Sequence, residues 1–164
     1  MGKRPFDIIV YGATGFTGKL VVEYLLENYG LKNDLFNWAI AGRSLKKLEK
    51  LKTGLSKEYI EAKDIRIFVA DSFDKESIEK LSKSAKVIIS TVGPYIKYGI
   101  NLVSACAHNG THYCDLTGEV PFIRESIDAY HEIASNNKSK IIHSCGFDSI
   151  PSDLGVLCLQ SEAI

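Results

Sequence analysis

An α/β fold built on one doubly wound parallel sheet is what this sequence predicts, and two observations carry it. Short apolar runs of strand length alternate along the chain with stretches whose apolar residues recur at helical spacing. The first run, Phe6 to Tyr11, leads through Gly12, Gly15 and Gly18 directly into a helical stretch. A glycine-rich turn between the first strand and the first helix is the entry to a βαβ unit.

The elements follow in order. The opening helix is expected from Lys19 to Tyr29, with Val21, Val22, Leu25 and Leu26 on its inner face and Gly30 as its stop. Leu31 to Phe36 reads as a connection, and Asn37 to Gly42 as the second strand. Ser44 is placed to cap a helix whose Leu45, Leu48, Leu51 and Leu55 share one side. A third strand is expected over Asp64 to Ala70, with Ile65, Ile67 and Val69 alternating with Arg66 and Phe68, then a short helix carrying Ile78 and Leu81. Val87 to Val92 is a β-branched run of the kind buried in parallel sheets. A helix from Ile100 to His108 ends at Asn109-Gly110, and a short strand covers His112 to Asp115. Pro121 suits the first turn of a helix with Ile123, Ile127, Tyr130 and Ala134 on one face. Lys140 to Ser144 is the sixth strand, and Gly146 to Pro151 turns out of it. The strand order expected for this Rossmann pattern is 3-2-1-4-5-6, with every functional loop at the carboxyl edge.

Composition bounds the function. The chain has 164 residues, with 45% apolar and 24% charged residues, which is globular composition. Twenty Lys and Arg balance 20 Asp and Glu, so no net field draws in nucleic acid. Met1 to Pro5 lacks the apolar core of a secretory signal, and Phe6 stands where a myristoylated Gly2 requires Ser or Thr. No apolar run reaches the roughly 20 residues of a membrane span. A cytoplasmic protein is expected, and peripheral lipid association and a homo-oligomer are both compatible with this composition. Cys106, Cys114, Cys145 and Cys158 include no C-x-x-C pair and are expected as buried free thiols.

The loops then point to a ligand. In Gly12-Ala13-Thr14-Gly15-Phe16-Thr17-Gly18 the spacing is G-x-x-G-x-x-G rather than G-x-G-x-x-G. Gly12 is expected to turn the chain sharply, Gly15 to admit a pyrophosphate, and Gly18 to let the helix sit tight on the strand. After the second strand an NAD site offers a carboxylate, but here stand Gly42-Arg43-Ser44. A guanidinium and a hydroxyl suit a 2′-phosphate, so NADP is the expected cofactor; a solvated Arg43 with Ser44 as a plain cap is the alternative. Asp71, followed by Ser72, is expected at the adenine amino group or, equally, as a helix-initiating acid. Val92, Gly93 and Pro94 are expected beside the nicotinamide ribose.

Several longer motifs occur in one order: Gly12 to Gly18, Ala41-Gly42-Arg43-Ser44, Val92-Gly93-Pro94-Tyr95 with Tyr98-Gly99, Asp115-Leu116-Thr117-Gly118-Glu119, and Gly146 to Gly155. Together they resemble the NADP-binding domain of the saccharopine dehydrogenase-like oxidoreductases, a group that includes lipid-droplet-associated proteins of animals and trans-acting enoyl reductases of mycobacteria. The resemblance implies a cofactor site at the glycine loop and Arg43. It also implies a second domain after the Gly-Phe-Asp-Ser-Ile-Pro segment, so residues 1–155 read as the dinucleotide-binding domain and 156–164 as the start of a missing or truncated region.

Chemistry is less legible. Tyr95, Tyr98, Asp115, Glu119 and Asp148 fall at the right sheet edge, but none has a companion that marks it as catalytic. No Tyr-x-x-x-Lys pair follows the fourth strand. Asp115 and Glu119 read as loop-shaping and helix-capping carboxylates, and Asp148 as a turn residue. His108, His112 and Cys114 do not make a convincing metal set, and His131 and His143 read as ordinary structural residues. Two functions stay open: hydride transfer to or from a small-molecule substrate, lipid-linked or amino-acid-derived, and a non-catalytic dinucleotide-binding or lipid-droplet-associated scaffold module.

Overall fold

Strand β1, Phe6–Tyr11, is apolar on both faces, and its last three residues are buried because helices cover it from both sides. The computed structural model describes residues 4–31 and 33–163. The sequence readings made on Met1, Gly2 and Lys3, and on position 32 of the first connection, lie outside them.

After β1 come α1 (Phe16–Tyr29), β2 (Trp38–Gly42), α2 (Leu45–Leu55), a 3-10 turn (Ile60–Asp64), β3 (Arg66–Val69) and α3 (Lys75–Ser84). The second half runs β4 (Ala85–Ser90), α4 (Tyr95–Tyr98), α5 (Ile100–Asn109), β5 (His112–Asp115), α6 (Val120–Asn136), β6 (Ile141–Ile142) and α7 (Ile150–Glu162). All pairings are parallel and the sheet order is β3-β2-β1-β4-β5-β6, the doubly wound arrangement expected from the sequence. The order reverses between β1 and β4, where a crevice opens at the carboxyl edge.

Each face of the sheet has its own core. Val22, Leu25 and Leu26 of α1 and Leu48 and Leu55 of α2 pack on Val10, Trp38 and Ile40. On the other face Ile78, Leu81, Leu102, Val103 and Phe122 pack on Ile9, Ile88 and Tyr113. Burial on this scale is the main favourable term in the fold.

Several boundaries differ from expectation, each for a local reason. Helix α1 starts at Phe16 because Gly15 is already its extended N-cap. Strand β4 begins at Ala85, paired with Phe6, and ends at Ser90, so Thr91 and Val92 leave the sheet. Asp64 coils into the 3-10 turn, and the third strand keeps only Arg66–Val69. Phe68 turns inward there, edge-on to Phe6 at 5.5 Å, while Val69 is half exposed on the outermost strand. Strand β6 is only Ile141–Ile142, since His143 and Ser144 bend toward Asp115. Helix α6 buries Phe122, Ser126 and Ala134, and leaves Ile127 half exposed. Its inner face is thus rotated by about one residue from the expected set, because the Phe122 ring fills the space that Gly99 leaves open.

Helix α7 runs across the expected boundary after Gly155 and has no buried residue. The expectation of buried thiols holds for Cys106 alone; Cys114 is half-buried, Cys145 and Cys158 are exposed, and all four are free. Cys145 follows the shortened β6, and Cys158 sits on a helix with no buried residue, so neither enters the core.

At the opposite edge of the sheet, polar groups pin the strand starts. Arg4 donates to the carbonyls of Ser82, Ala85 and Asn109 and to Thr111 Oγ1. Asp7 accepts from the Asn37 amide at 2.9 Å and pairs with Lys86 at 2.5 Å. The Lys86 hydrogen bond, followed by the Asn37 amide, holds the Asp7 carboxyl below its ordinary range. A carboxyl lowered on folding stabilises above its unfolded value and loses that contribution as pH falls through the folded one. The melting temperature is therefore expected to fall below about pH 4, and less steeply in Asp7→Asn than in the parent chain. Parallel pH–melting curves for the two proteins would show that Asp7 contributes nothing.

Candidate functional site

The glycine loop is shaped by close contact. Gly12 has φ +90°, and a Cβ there would lie 2.7 Å from Thr91 Oγ1 and Val92 Cγ2. At Gly18 a Cβ would lie 2.2 Å from the Gly12 carbonyl, so α1 rests directly on the turn. The Gly12 and Ala13 amides bond the Ala41 carbonyl, and the Gly15 amide bonds the Gly12 carbonyl. The amides of Phe16, Thr17 and Gly18 lie in the first turn of α1, where no intrahelical acceptor exists. No side chain caps them, and the first turn holds no acid. These donors and the positive end of the helix dipole favour an anion.

A cavity of about 340 Å³ lies at this edge, lined by Tyr11, Gly12, Thr14, Gly15, Gly42, Arg43, Asp71, Ser72, Thr91, Val92, Gly93, Pro94 and Tyr98. Nine of the residues read from the sequence therefore share one cavity: Gly12, Thr14, Gly15, Arg43, Asp71, Ser72, Val92, Gly93 and Pro94. Five do not line it. Ala13 is buried in the core, Gly18 is buried where α1 rests on the Gly12 turn, Phe16 is 86% exposed, and Thr17 sits in the helix turn. The Ser44 hydroxyl accepts from the Lys47 amide and is spent as the cap of α2.

The lining side chains are partly committed. Ser72 Oγ lies 2.9 Å from Tyr11 Oη, whose phenol is pushed up by burial. Asp71 Oδ1 accepts from the Phe73 amide at 2.9 Å, an Asx turn. Helix α3 is initiated instead by Asp74, which accepts from the Glu76 and Ser77 amides. Arg43 is exposed and has no ion pair or side-chain hydrogen bond among the described residues. The sequence reading missed Tyr11 and Thr91 as lining groups, and it placed Tyr98 and Gly42 at this edge without assigning them to the cofactor. A signal existed for each: Tyr11 and Gly42 end their strands, Thr91 precedes Val92, and Tyr98 follows Pro94 by one helical turn.

The wall beyond Pro94 is held from the next loop. The Gly93–Pro94 peptide is cis. The Glu119 carboxylate accepts from the Tyr95 amide at 2.6 Å and the Ile96 amide at 2.9 Å, capping α4. Tyr95 turns inward, donates to the Ser90 carbonyl at 3.0 Å, and is pushed up to about 12 by burial. Its hydroxyl is committed to that carbonyl, and Tyr95 is not among the residues lining the cavity. Asp148 lies outside the cavity lining.

Asp115 is the hub behind this wall. Its carboxylate accepts from Tyr113 Oη at 2.8 Å, the Thr117 amide at 3.1 Å and the Ser144 amide at 3.2 Å. His143 Nδ1 lies 2.7 Å from Asp115 Oδ2, and His143 Nε2 lies 2.9 Å from Ser126 Oγ. An Asp–His–Ser line with these spacings resembles a hydrolytic relay. Ser126, however, is 3% exposed in the middle of α6, where backbone amides are spent in the helix and leave no oxyanion donors. The line is a strut joining β5, β6 and α6, so His143 is structural, with a defined task.

His108 Nδ1 lies 2.8 Å from the Ser104 carbonyl, and His112 Nδ1 accepts from the Lys140 amide. Among the described residues no three His, Cys, Asp or Glu side chains gather as metal ligands. No helix among them is long and apolar enough to cross a membrane.

A parallel sheet that reverses at β1 and β4, with a glycine loop and free helix amides at the crevice, defines a dinucleotide-binding domain. The acid that would select NAD is absent from the end of β2, and Arg43 stands in the cavity at that point, a fit to NADP. The sequence model of the saccharopine dehydrogenase NADP binding domain matches residues 8–142. The chain belongs to that family, and its cofactor is NADP.

The trans-acting enoyl reductase of Mycobacterium leprae is 45% identical over 162 residues, 99% of this chain and 37% of the relative. That of Mycobacterium tuberculosis is 44% identical, with the same shares covered. The chain thus spans little more than a third of the length of these relatives. Saccharopine dehydrogenase (L-Glu forming) from Saccharomyces cerevisiae superposes with a TM-score of 0.71 at 20% identity, over 96% of this chain and 31% of that one. Triphenylmethane reductase from Citrobacter sp., complexed with NADP(H), gives a TM-score of 0.60 at 18% identity, over 84% of this chain and 48% of that one. These two share the fold.

Proposed function

We propose that the cavity between the glycine loop, Arg43 and Pro94 holds NADP(H), and that the chain is the cofactor-binding part of an oxidoreductase. The pyrophosphate lies over Gly12, Gly15 and the free amides of α1. The 2′-phosphate meets Arg43, the adenine lies by Asp71, and the nicotinamide ribose lies against Val92 to Pro94. The cofactor supplies hydride chemistry when bound. Glu119 supports the reading by fixing the α4 turn, and with it Pro94, against the cavity. The relatives named as enoyl reductases favour an enoyl acceptor over an amino-acid-derived one.

The observation that carries this reading is the unpaired Arg43 guanidinium in the same cavity as Gly12 and Gly15. Arg43→Ala is expected to cost about 1.5–3 kcal/mol of NADPH affinity and to leave NADH affinity nearly unchanged. Titration calorimetry of both proteins with both nucleotides reads the difference. Equal selectivity before and after would reduce Arg43 to a surface charge.

A second reading, a binding or scaffold module without turnover, is favoured by one observation. Of the five proton donors expected at this edge only Tyr98 lines the cavity: Tyr95 is turned away, Asp115 is enclosed in its network, Glu119 caps α4, and Asp148 lies outside the lining. The exposed Leu154, Val156, Leu157 and Leu159 of α7 suit docking, whether to protein or to a lipid droplet surface. Hydride turnover with an enoyl thioester separates the two readings.

A further inference from the structure

The start of α2 is electrostatically unfavourable as it stands. Its first turn carries Lys46 and Lys47 just after Arg43 and contains no acid. Cations there face the positive end of the helix dipole. Some helix lysines are paired one turn away, Lys19 with Glu23, Lys80 with Glu76 and Lys83 with Glu79, whereas Lys50, Lys75 and Lys97 are not among the ion pairs of the described residues. Among the described residues Arg43, Lys46 and Lys47 have no such carboxylate. Arg43, Lys46 and Lys47 thus concentrate uncompensated positive charge at this helix start, which favours an anion there.

Geometry separates the two lysines. Lys47 lines a groove between α1 and α2, and Thr14 lines both that groove and the dinucleotide cavity holding Arg43. Lys46 lines neither. The Lys47 amide bonds the Ser44 hydroxyl at 3.4 Å, which fixes the Lys47 backbone one turn from Arg43.

We infer that Lys47 is a second cation for the 2′-phosphate, gripping it from the α1–α2 groove while Arg43 grips it from the cavity, an inference that rests on the Arg43 placement proposed above. Arg43 supplies planar paired donors and Lys47 a mobile point charge, so together they enclose a dianion that neither holds alone. Lys47 is then a specificity residue: it touches only the group that distinguishes NADP from NAD.

The test is titration calorimetry of the 164-residue chain with NADPH, NADH, adenosine 2′,5′-bisphosphate and AMP. Lys47→Met is expected to weaken NADPH and the bisphosphate about tenfold, while NADH and AMP bind as before. Lys47→Arg is expected to restore most of the loss, and Lys46→Met to change nothing. The NADPH affinity of Lys47→Met should also fall less with added salt than that of the parent chain. Unchanged NADPH binding in Lys47→Met, or an equal loss for NADH, overturns the inference. If Arg43→Ala also leaves selectivity unchanged, the cavity assignment itself falls. If Arg43→Ala shifts selectivity and Lys47→Met does not, only the role of Lys47 falls.

Discussion

Gly15→Asp is expected to abolish NADP(H) binding without harming the fold. Gly15 is the N-cap of α1, with φ −75° and ψ 169°, a conformation open to any residue. A Cβ there approaches only the Gly12 carbonyl, at 3.3 Å, so the side chain enters with a small adjustment. Aspartate is among the preferred N-caps, and its carboxylate can accept from the free Thr17 and Gly18 amides. The helix gains a cap worth about 0.5–2 kcal/mol. The same carboxylate occupies the donors that receive the pyrophosphate and repels it, so affinity falls about a hundredfold or more. Thermal melting should show an equal or higher midpoint, and calorimetry no NADPH binding. Gly15→Asn supplies the cap without the charge and should lose less affinity. A folded Gly15→Asp chain that binds NADPH normally would show that the pyrophosphate lies elsewhere.

Asp115→Ala is expected to cost about 3–5 kcal/mol of stability, read from the urea midpoint. Asp115 is 2% exposed, and its loss strands the Tyr113 hydroxyl, the His143 ring and the Thr117 and Ser144 amides together. Those groups join β5 to β6, and through Thr117 to Glu119 they reach the loop that supports α4. Asp115→Asn keeps the shape and acceptance from the two amides, and should cost less than half as much. A loss under about 1 kcal/mol in Asp115→Ala would mean that apolar packing around Phe122 and Tyr113 holds this corner without the network.

Much of the fold was legible because parallel strands buried on both faces appear as unbroken apolar runs, and Ile8 to Tyr11 and Val87 to Ile89 are such runs. The helix faces were legible where spacing alone decides them, as for Val22, Leu25 and Leu26. The spacing misled at α6, where Ile123 and Ile127 follow the helical period as well as Phe122 does. Only the gap beside Gly99, on another helix, selects the larger ring. Likewise Thr91 and Val92 carry strong strand propensity, yet they leave the sheet to line the cavity, because β5 offers partners to β4 no further than Ser90.

The sequence alone determined the doubly wound topology, the glycine turn and the absence of an acid beside Arg43, since each is a local pattern of residue type and spacing. Tertiary structure decided which of those residues share a cavity, that Ser44 is spent as a cap while Arg43 stays unpaired, and that His143, Asp115 and Ser126 meet. Those contacts join residues from different strands and helices. Their distances depend on how the sheet stacks its elements, which no spacing along the chain encodes.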